Sequence, residues 1–370
     1  MREQISLIGT GQTRFSEWWD KSIRDLMNEA VTSTIDSSPI TALDIDFVIV
    51  ANMLGERVND QAHLGAIASS LFPHRPPALR TEAACASGSI AIHTALSLLE
   101  SGRAENVLVI GVEKMTDVST SEITAALMGA ADAERDAACG MTFPGLFGLV
   151  ARRYMHDYGL TREQLSLVSA RHHHNAVSNP FAQFKNVIDP KSVTESSLVA
   201  DPLRLLDCSP VSDGAAACIL SSRHTSPIRF AASQVSTDSI SLTERPSLTS
   251  FPATKDAAER AYDEASIRPA DIAHIELHDC FSIAAIINLE DLGFADPGHG
   301  ITFYEEREPV PTVNLSGGLK ACGHPVAATG IKQILDVSKQ LQASNQRYGL
   351  AHNFGGVGAT CCVHILEHTP

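Results

Sequence analysis

The sequence predicts an α/β fold built on a mostly parallel, buried β-sheet, and three consecutive segments carry this prediction. The run DFVIVANML (46–54) is short and mainly apolar, which is typical of a buried strand. The segment CASGSIAIHTALSLLESG (85–102) reads as a helix that ends at a glycine, and NVLVIGVE (106–113) reads as the next strand. Strands that alternate with amphipathic helices form parallel sheets covered by helices.

The helix and the strand that follows it recur near the C-terminus without a gap. Aligning Gly88 with Gly330 gives an offset of 330 − 88 = 242 residues, and the same offset places Leu350 on Leu108. A cluster of small residues opens the helix in both copies, CASGSI in the first and VAATGI in the second. We therefore predict two similar α/β halves.

The length of the chain also indicates an internal division, because 370 residues exceed the roughly 250–300 residues that one core usually supports. We expect a first half at 1–118 plus 209–225, where SPVSDGAAACILSS (209–222) supplies a late strand, and a second half at 226–370. Between them, residues 119–208 lose the strand pattern and gain one strong helix, GLFGLVARRYMHDYG. Long insertions commonly build binding sites, so this segment is predicted to cover substrate.

Composition limits the classes of partner. The formal net charge is −15 at pH 7, with 28 lysines and arginines against 43 aspartates and glutamates. Nucleic-acid backbones are bound by clustered basic side chains, so no nucleic-acid partner is expected. The sequence shows no signal-peptide pattern and no apolar run of the roughly 18 residues that span a bilayer, so we expect a cytoplasmic protein without a membrane partner.

The eight cysteines are expected to form neither disulfides nor a metal site. A reducing cytoplasm keeps thiols free, and the adjacent Cys361 and Cys362 would point to opposite faces of a strand. The run His172-His173-His174 would fan out by about 100° per residue on a helix and could not share one ion. LIGTGQTRF (7–15) lacks the third glycine of a dinucleotide-binding turn, so no bound dinucleotide is expected.

Cys85 is the first candidate catalytic residue. It lies in RTEAACASGSIAI (80–92), where a short extended segment meets a helix whose first turn contains only small residues. A helix N-terminus favours a thiolate, and small neighbours leave room for an acyl group and for backbone N–H groups that stabilise an oxyanion. A buried structural cysteine is the alternative.

Two glycine-rich segments supply further candidates. In GGLKACGHPVAATG (317–330), glycines and Pro325 hold His324 in a rigid turn, and histidine can take a proton from a thiol near neutral pH. A core histidine is the alternative. In AHNFGGVGAT (351–360), Asn353 and three glycines follow a strand, and glycine N–H groups there can approach a thioester carbonyl. A plain turn between strands is the alternative.

Five segments, EAACASGS, SDGAAA, HDCF, GGLKACGHPVAATG and HNFGGVG, occur in an order and spacing that resembles the thiolase superfamily over almost the whole chain. The resemblance implies two βαβαβαββ halves in a five-layer αβαβα arrangement, with a loop domain inserted in the first half. It also implies coenzyme A thioesters as substrates and no permanently bound cofactor. Cys85 would be the acylated nucleophile and His324 its activator, and the amides of Cys85 and Gly355 would form an oxyanion hole.

Two departures from the common pattern narrow the resemblance. Most thiolases that this chain resembles have an asparagine-glutamate-alanine-phenylalanine segment in place of HDCF, and a second catalytic cysteine in place of Asn353. The paired change is similar to the sterol-carrier-type thiolases, in which the cysteine of HDCF supplies the acid/base thiol. The resemblance therefore implies this role for Cys280, and it implies that His278 and His324 polarise the thioester oxygen.

The resemblance implies an acyl-CoA C-acyltransferase of lipid metabolism, which cleaves a 3-oxoacyl-CoA or runs the reverse Claisen condensation, and a homodimer. Two alternatives stay open: an aldolase or lyase of the same fold that acts on a CoA-thioester side chain with a zinc-ribbon and OB-fold partner, and a non-catalytic subunit. Contacts to substrate or coenzyme A are expected from Arg152, Arg153, His174, Lys185, Ser316, Gly317 and Asn353.

Overall fold

The computed structural model describes residues 5–369. The strands are β1 (Ser6–Gln12), β2 (Phe47–Ala51), β3 (Ala78–Thr81), β4 (Asn106–Glu113), β5 (Leu198–Ala200), β6 (Leu203–Arg204), β7 (Gly214–Ser221), β8 (Ile228–Thr237), β9 (Ile272–Glu276), β10 (Thr312–Val313), β11 (Tyr348–Gly355) and β12 (Thr360–His368). The helices are α1 (Ile23–Asp36), α2 (Gly55–Val58), α3 (Leu64–Ser69), α4 (Ser87–Glu100), α5 (Thr120–Leu127), α6 (Phe143–Tyr158), α7 (Arg162–Ala176), α8 (Pro190–Glu195), α9 (Pro252–Ala265), α10 (Ser282–Asp291), α11 (Thr302–Glu305), α12 (Gly318–Cys322) and α13 (Thr329–Ser344).

The two halves of the chain arrange their strands in the same order. The first half has the order β3-β2-β4-β7-β1, in which β3, β2 and β4 are parallel and β7 is antiparallel to both neighbours. The second half has the order β10-β9-β11-β12-β8, in which β12 is the antiparallel counterpart of β7. The halves meet where Ser6 of β1 pairs with Arg229 of β8.

The sheet is therefore mixed, whereas the sequence predicted a mostly parallel one. In each half, only three neighbouring strands are hydrogen-bonded in parallel, and the central strands β7 and β12 run antiparallel to both of their neighbours. The difference arises because β12 follows β11 through a short hairpin turn, which forces the two strands to run antiparallel. A buried antiparallel strand has the same continuous apolar pattern as a buried parallel one, so the sequence pattern could not separate them.

The repeat seen in the sequence is a repeat of structure. β4 begins at Asn106 and β11 at Tyr348, a separation of 348 − 106 = 242 residues. α4 begins at Ser87 and α13 at Thr329, which gives the same separation, 329 − 87 = 242. The predicted repeat is confirmed, while the domain boundaries drawn around it stay a prediction.

The helices form three layers around the two halves of the sheet. α1 covers the outer face of the first half, where Leu26 packs with Ile110 of β4. α10 covers the outer face of the second half, where Ile286 lies in one cluster with residues of β9 and β11. α4 and α13 lie between the two halves and share a cluster that contains Ile92 and Ile334. This is the five-layer αβαβα arrangement that the resemblance implied.

Two glycines allow α4 and α13 to cross closely at their first turns. A Cβ atom on Gly88 would lie 2.5 Å from the carbonyl oxygen of Ala327, and one on Gly330 would lie 2.3 Å from Oγ of Ser89. Any larger residue would push the helices apart, because real Cβ atoms do not approach other atoms so closely. The segments that precede the two helices are thereby brought together between the halves of the sheet.

The insertion between β4 and β7 is mainly helical, and the one helix that the sequence predicted there, GLFGLVARRYMHDYG, forms most of α6. It contains α5 to α8 and a separate two-stranded hairpin of β5 and β6. Phe147 of α6 and Val168 of α7 belong to the same apolar cluster as Ile283 of α10, so the insertion packs against the second half. In residues 5–369, no helix is both long and apolar enough to cross a lipid bilayer.

Candidate active site

Segments from both halves converge on one cavity. The turn between β3 and α4 contributes Cys85, the loop between β9 and α10 contributes Cys280, and the turn between α12 and α13 contributes His324. Gly356, in the hairpin turn between β11 and β12, lines the same cavity, whose volume is about 170 Å³. Three of the predicted catalytic side chains therefore face one enclosed space.

Cys85 is presented by a strained turn. Ala84, the residue before it, has a φ of 52°, which lies in the left-handed region that side chains rarely adopt. Two hydrogen bonds of Ser87 hold the turn: its Oγ accepts from Ala83 N at 2.9 Å and donates to the Ala84 carbonyl oxygen at 2.5 Å. Backbone strain at such a turn persists only when its surroundings fix it, and it clusters at functional sites.

The Cys85 thiol is neutral in this cavity. Burial raises its pKa to about 12, and the nearby Glu113 carboxylate adds to the rise. The Gly356 N–H hydrogen-bonds the sulfur and partly opposes the rise. The sequence argument that a helix N-terminus favours the thiolate is therefore outweighed by burial, and the thiol needs a base to become a nucleophile.

The amide directed at Cys85 belongs to Gly356, one residue after the Gly355 that the sequence comparison suggested for the oxyanion hole. Gly355 serves a packing role, because a Cβ atom there would lie 2.4 Å from the carbonyl oxygen of Ala83. Gly356 has a φ of 65°, in the left-handed region, where the chain leaves β11 and enters the hairpin turn. The glycine pair therefore lets the hairpin approach the Cys85 turn and aim an amide at it.

His324 is oriented as a base. Its Nδ1 lies 2.8 Å from Oγ1 of Thr329, and that hydroxyl donates to the Pro325 carbonyl oxygen at 3.1 Å. Because the Thr329 hydroxyl donates its one proton to Pro325, it accepts a hydrogen bond from His324. Nδ1 of His324 therefore carries the ring proton, and Nε2 has a free lone pair. Burial lowers the pKa of His324 to about 4, which keeps the ring neutral.

His278 has the opposite tautomer. Nδ2 of Asn353 lies 2.9 Å from Nδ1 of His278, so the amide donates and the ring proton resides on Nε2. Burial, together with the nearby His324 and His352, holds the pKa of His278 well below its usual value. One ring nitrogen of His278, one of His324 and the sulfur of Cys85 all lie within 4.8 Å of one another. His278 is therefore placed to donate a hydrogen bond beside the thiol.

Cys280 is a second buried thiol in the cavity. Burial raises its pKa well above 9, and the proximity of Cys85 and Asp279 adds to the rise. Its carbonyl oxygen accepts from Ser209 N at 2.9 Å, which fixes the loop to the segment that leads into β7. At neutral pH such a thiol holds its proton and can act as an acid.

Asp279 ties the HDCF loop to the segment that carries His324. Its buried carboxylate accepts from Leu319 N at 2.8 Å and from Lys320 N at 3.3 Å, both in the first turn of α12. Nδ1 of His172 lies 2.8 Å from the other side of the carboxylate. These partners lower the pKa of Asp279 despite its burial. The sequence analysis assigned no role to Asp279 or His172.

The remaining predicted contact residues lie outside this cavity. Arg152 and Arg153 are exposed on α6 and pair with Asp201 and Asp157. The side chains of His174 and Lys185 are also exposed. None of these four residues lines the cavity.

Two more of the predicted contacts are enclosed in the protein. Oγ of Ser316 donates to Glu276 at 2.6 Å and accepts from Nζ of Lys332 at 2.6 Å. A Cβ atom on Gly317 would lie 2.5 Å from Cβ of Ala176. Both residues therefore have structural contacts, and Asn353 is connected to the site by its hydrogen bond to His278.

Most of the apolar wall was not predicted. It comes from segments distant in the chain and is formed mainly by Met53, Met115, Leu127, Phe143, Phe147, Phe281 and Val326. A second cavity of about 290 Å³ shares Cys208, Ser209 and Pro210 with the first and also contains the buried Lys320. Nζ of Lys320 donates to the Cys208 carbonyl oxygen at 2.8 Å, and burial lowers its pKa to about 8. The sequence did not indicate a role for Lys320, because a single lysine in a glycine-rich segment matches no recognisable pattern.

Comparison with protein families gives two matches. The model described as the thiolase N-terminal domain matches residues 5–224. The model described as thiolase C-terminal domain-like matches residues 234–368. Together they cover almost the whole chain.

Individual proteins give the same result. An acetyl-CoA acetyltransferase of Methanothermobacter thermautotrophicus is 42% identical over 382 residues, covering 98% of this chain and 99% of that protein. Human sterol carrier protein 2 is 30% identical over 388 residues, covering 96% of this chain and 70% of that protein. A solved structure named Ltp2-ChsH2(DUF35) aldolase has a TM-score of 0.85 at 20% identity, covering 99% of this chain and 98% of that one, which shows a shared fold.

Proposed function

This chain belongs to the thiolase family and is an acyltransferase, and we propose that it transfers acyl groups through a thioester on Cys85. In one direction the reaction cleaves a 3-oxoacyl-CoA with coenzyme A, and in the other it condenses two acyl-CoA molecules. The observation that carries the proposal is the meeting of Cys85, Cys280 and His324 in one cavity, with His278 beside them.

In the cleavage direction, the first step forms the acyl-enzyme. Nε2 of His324 takes the proton from the Cys85 thiol, and the sulfur attacks the 3-oxo carbonyl carbon. The oxyanion of the tetrahedral adduct accepts hydrogen bonds from the amides of Cys85 and Gly356. We assign Gly356 rather than Gly355 to this role because its amide is the one that lowers the pKa of the Cys85 thiol.

The carbon–carbon bond then breaks, and its electron pair leaves with the acetyl-CoA fragment as an enolate. The enolate oxygen accepts hydrogen bonds from Nε2–H of His278 and from the now protonated His324. The enolate carbon takes the proton of the Cys280 thiol. The raised pKa of Cys280 supports this assignment, since the thiol is protonated before the step.

Coenzyme A completes the cycle. The Cys280 thiolate first takes the proton from His324, and His324 then takes the proton of the coenzyme A thiol. The coenzyme A sulfur attacks the carbonyl carbon of the acyl-enzyme. The bond from that carbon to the Cys85 sulfur breaks, and Cys85 recovers its proton from His324. No permanently bound cofactor takes part in this sequence of steps.

We propose that coenzyme A enters through the second cavity, which adjoins the catalytic one at Ser209 and Pro210. His173 and Phe184 line that cavity, so the neighbouring His174 and Lys185 can meet the charged end of the cofactor at its rim. Arg152 and Arg153 remain weaker assignments, because each already pairs with an aspartate. Ser316, Gly317 and Asn353 would act indirectly, through the groups that they hold in place.

We propose that the chain forms a homodimer through the edge of its sheet at β3. β3 ends the first half of the sheet and, within residues 5–369, pairs only with β2. Its residues Ala78–Thr81 are half-buried rather than covered, so the free edge can pair with a second copy. A zinc-ribbon and OB-fold partner belongs to the alternative aldolase function, which the name of one structural neighbour raises.

Product analysis of the purified wild-type protein tests the reaction. The protein is incubated with acetoacetyl-CoA with and without coenzyme A, and the thioesters are separated by chromatography. We expect two molecules of acetyl-CoA for each acetoacetyl-CoA consumed, and only when coenzyme A is present. Cleavage of a 3-hydroxyacyl-CoA into a carbonyl compound and an acyl-CoA, which needs no coenzyme A, would instead favour the aldolase. No turnover and no acylation of Cys85 would favour a non-catalytic subunit.

A further inference from the structure

We propose that the catalytic residues also form a zinc site, in which Zn²⁺ binds Cys85, His278 and His324 and reversibly blocks the enzyme. The sulfur and one nitrogen of each ring lie within 4.8 Å of one another. Thiolate and imidazole are the ligands that zinc prefers in proteins. A tetrahedral ion with bonds of about 2.0–2.3 Å holds its ligand atoms roughly 3.4–3.7 Å apart, so a movement of about 1 Å closes the site.

Both histidines present a free nitrogen to this space. Nε2 of His278 and Nε2 of His324 are buried and have no hydrogen-bond partner among the described groups. Each ring is held from its Nδ1 side, by Asn353 at 2.9 Å and by Thr329 at 2.8 Å. Proteins orient metal-binding histidines by bonding the second ring nitrogen to an oxygen in the next shell, as Nδ1 of His324 does with Thr329.

Asn353 can support both functions of His278. In the catalytic arrangement its Nδ2 donates to Nδ1, while its Oδ1 is buried without a hydrogen-bond partner. A half-turn of the amide brings Oδ1 to the ring, where it accepts a proton carried on Nδ1 and leaves the Nε2 lone pair free. The same side chain therefore permits His278 to donate to substrate or to bind an ion.

Zinc binding exchanges the proton of the Cys85 thiol for the metal ion. The S–H bond of Cys85 breaks, its proton goes to solvent, and the sulfur forms a bond to Zn²⁺. Each imidazole contributes one lone pair, and water or the Cys280 thiol, which lines the same cavity, fills the fourth position. The sulfur can no longer attack a thioester, so the ion and the acyl group exclude each other.

The site does not follow from sequence spacing. Its three ligands come from segments as distant as residues 85 and 324, and the cysteine pair and the histidine run considered from the sequence contribute none of them. The proposed site therefore departs from the expectation, drawn from residue spacing, that none of the eight cysteines binds a metal. Zinc binding rests on the arrangement of these side chains, whereas the block of the enzyme also rests on the proposed acylation of Cys85.

Metal titration tests the site on the full-length protein. Protein treated with EDTA and desalted is titrated with Zn²⁺ in competition with a chromophoric chelator, and in parallel with Co²⁺, whose bond to a thiolate gives a charge-transfer absorption band. We expect one tight equivalent per chain and a Co²⁺ band in the wild type. Cys139→Ala, which removes an exposed cysteine, serves as the matched control and should bind as the wild type does. The Cys85→Ala variant should not show the Co²⁺ band, and its affinity for Zn²⁺ should be at least tenfold lower.

Two further measurements cover the case in which Cys85→Ala fails to fold. Wild-type protein alkylated on Cys85 by iodoacetamide should lose the tight equivalent, and Zn²⁺ should slow that alkylation, with EDTA restoring its rate. Asn353→Asp should tighten Zn²⁺ binding by about 10–100-fold, because a carboxylate orients the ligating ring better than an amide. Equal Zn²⁺ affinity with Cys85 present, replaced or alkylated would overturn the site. Tight binding by a protein that shows no acyl transfer would contradict only the proposed function.

Discussion

The imidazole rings of His278 and His324 meet edge to face, with centroids 5.1 Å apart and planes at 83°. Asn353 holds the first ring and Thr329 holds the second, each through Nδ1. The two rings therefore have different tautomers at one site, one with a proton on Nε2 and one with a lone pair there. In the proposed reaction this difference separates the hydrogen-bond donor for substrate from the base for Cys85.

Replacing Cys85 with alanine should abolish the acyl-enzyme and leave the fold intact. The side chain is small and only half-buried, so the free energy of unfolding should change by about 1 kcal/mol or less. Acylation should disappear because no other thiol sits on the strained turn after Ala84. Mass spectrometry of peptides after incubation with acetyl-CoA measures the acetyl group, and Cys139→Ala should acetylate normally. Acetylation of another cysteine at the wild-type rate would refute the assignment.

Thr329→Val should slow acylation without removing any reacting group. The change keeps the shape of the side chain but deletes the hydroxyl that accepts from Nδ1 of His324. A hydrogen bond of this kind contributes about 1 kcal/mol or slightly more, so the acylation rate should fall roughly tenfold. Rapid-quench measurement of acetyl-Cys85 formation gives the rate.

Two variants complete the Thr329 test. Thr329→Ser restores the hydroxyl and should recover most of the rate. Thr34→Val removes another buried threonine hydroxyl, which bonds Ala30 and Ala217 far from the cavity, and should leave acylation unchanged. If the Thr329→Val and Thr34→Val variants form acetyl-Cys85 at the same rate, Thr329 has no role in orienting His324.

The parts of the fold that the sequence predicted are those with local patterns. The β4 strand matches the predicted run Asn106–Glu113, and the helix before it follows from apolar spacing and a closing glycine. Small residues around Cys85 and the glycines around His324 are likewise local features. Burial and propensity act within one segment, so a single sequence reveals them.

The parts that the sequence did not predict depend on contacts between distant segments. The Asn353–His278 hydrogen bond spans 75 residues, and no spacing rule connects the two positions. The high pKa of Cys85 arises from enclosure by both halves, which a helix-dipole argument does not include. Each of these features required the assembled structure.

Asp279→Asn should weaken the fold and slow acylation together. The buried carboxylate bonds two amides of α12 and lies 2.8 Å from Nδ1 of His172. Loss of its charge should reduce the free energy of unfolding at pH 7 by about 1.5–3 kcal/mol, the range for hydrogen bonds to charged groups. Asp189→Asn, which changes an exposed helix cap on α8, is the control and should have little effect.

The pH dependence of this loss has a definite sign. The folded-state pKa of Asp279 is below its ordinary value of 3.8, so the stabilisation is fully present above about pH 4. It disappears as the pH falls through the lower, folded-state pKa. The difference in unfolding free energy between wild type and Asp279→Asn, measured in denaturant, should therefore shrink below pH 3.8. A difference that stays constant down to the acid transition would mean that the carboxylate charge contributes nothing.

Cys280→Ala separates two steps of the proposed reaction, the acylation of Cys85 and the cleavage of the carbon–carbon bond. Formation of acetyl-Cys85 from acetyl-CoA uses His324 and the Gly356 amide, and none of these groups is altered. Carbon–carbon cleavage needs a proton donor at the enolate carbon, and Asn353 cannot supply one because an amide does not titrate near neutral pH. Thiolysis of acetoacetyl-CoA should therefore fall by about 10²–10⁴-fold, the effect of removing one general acid.

Both activities of Cys280→Ala are measured on the same preparation, acylation by mass spectrometry and thiolysis by loss of acetoacetyl-CoA absorbance. A small change in packing is expected because the thiol is buried, so Cys361→Ala, which removes another buried cysteine, provides the control for instability. The control should keep both activities. Normal acylation with thiolysis near the wild-type rate would show that Cys280 is only a packed thiol. Loss of both activities would instead assign Cys280 to the shape of the cavity, since acylation does not use its proton.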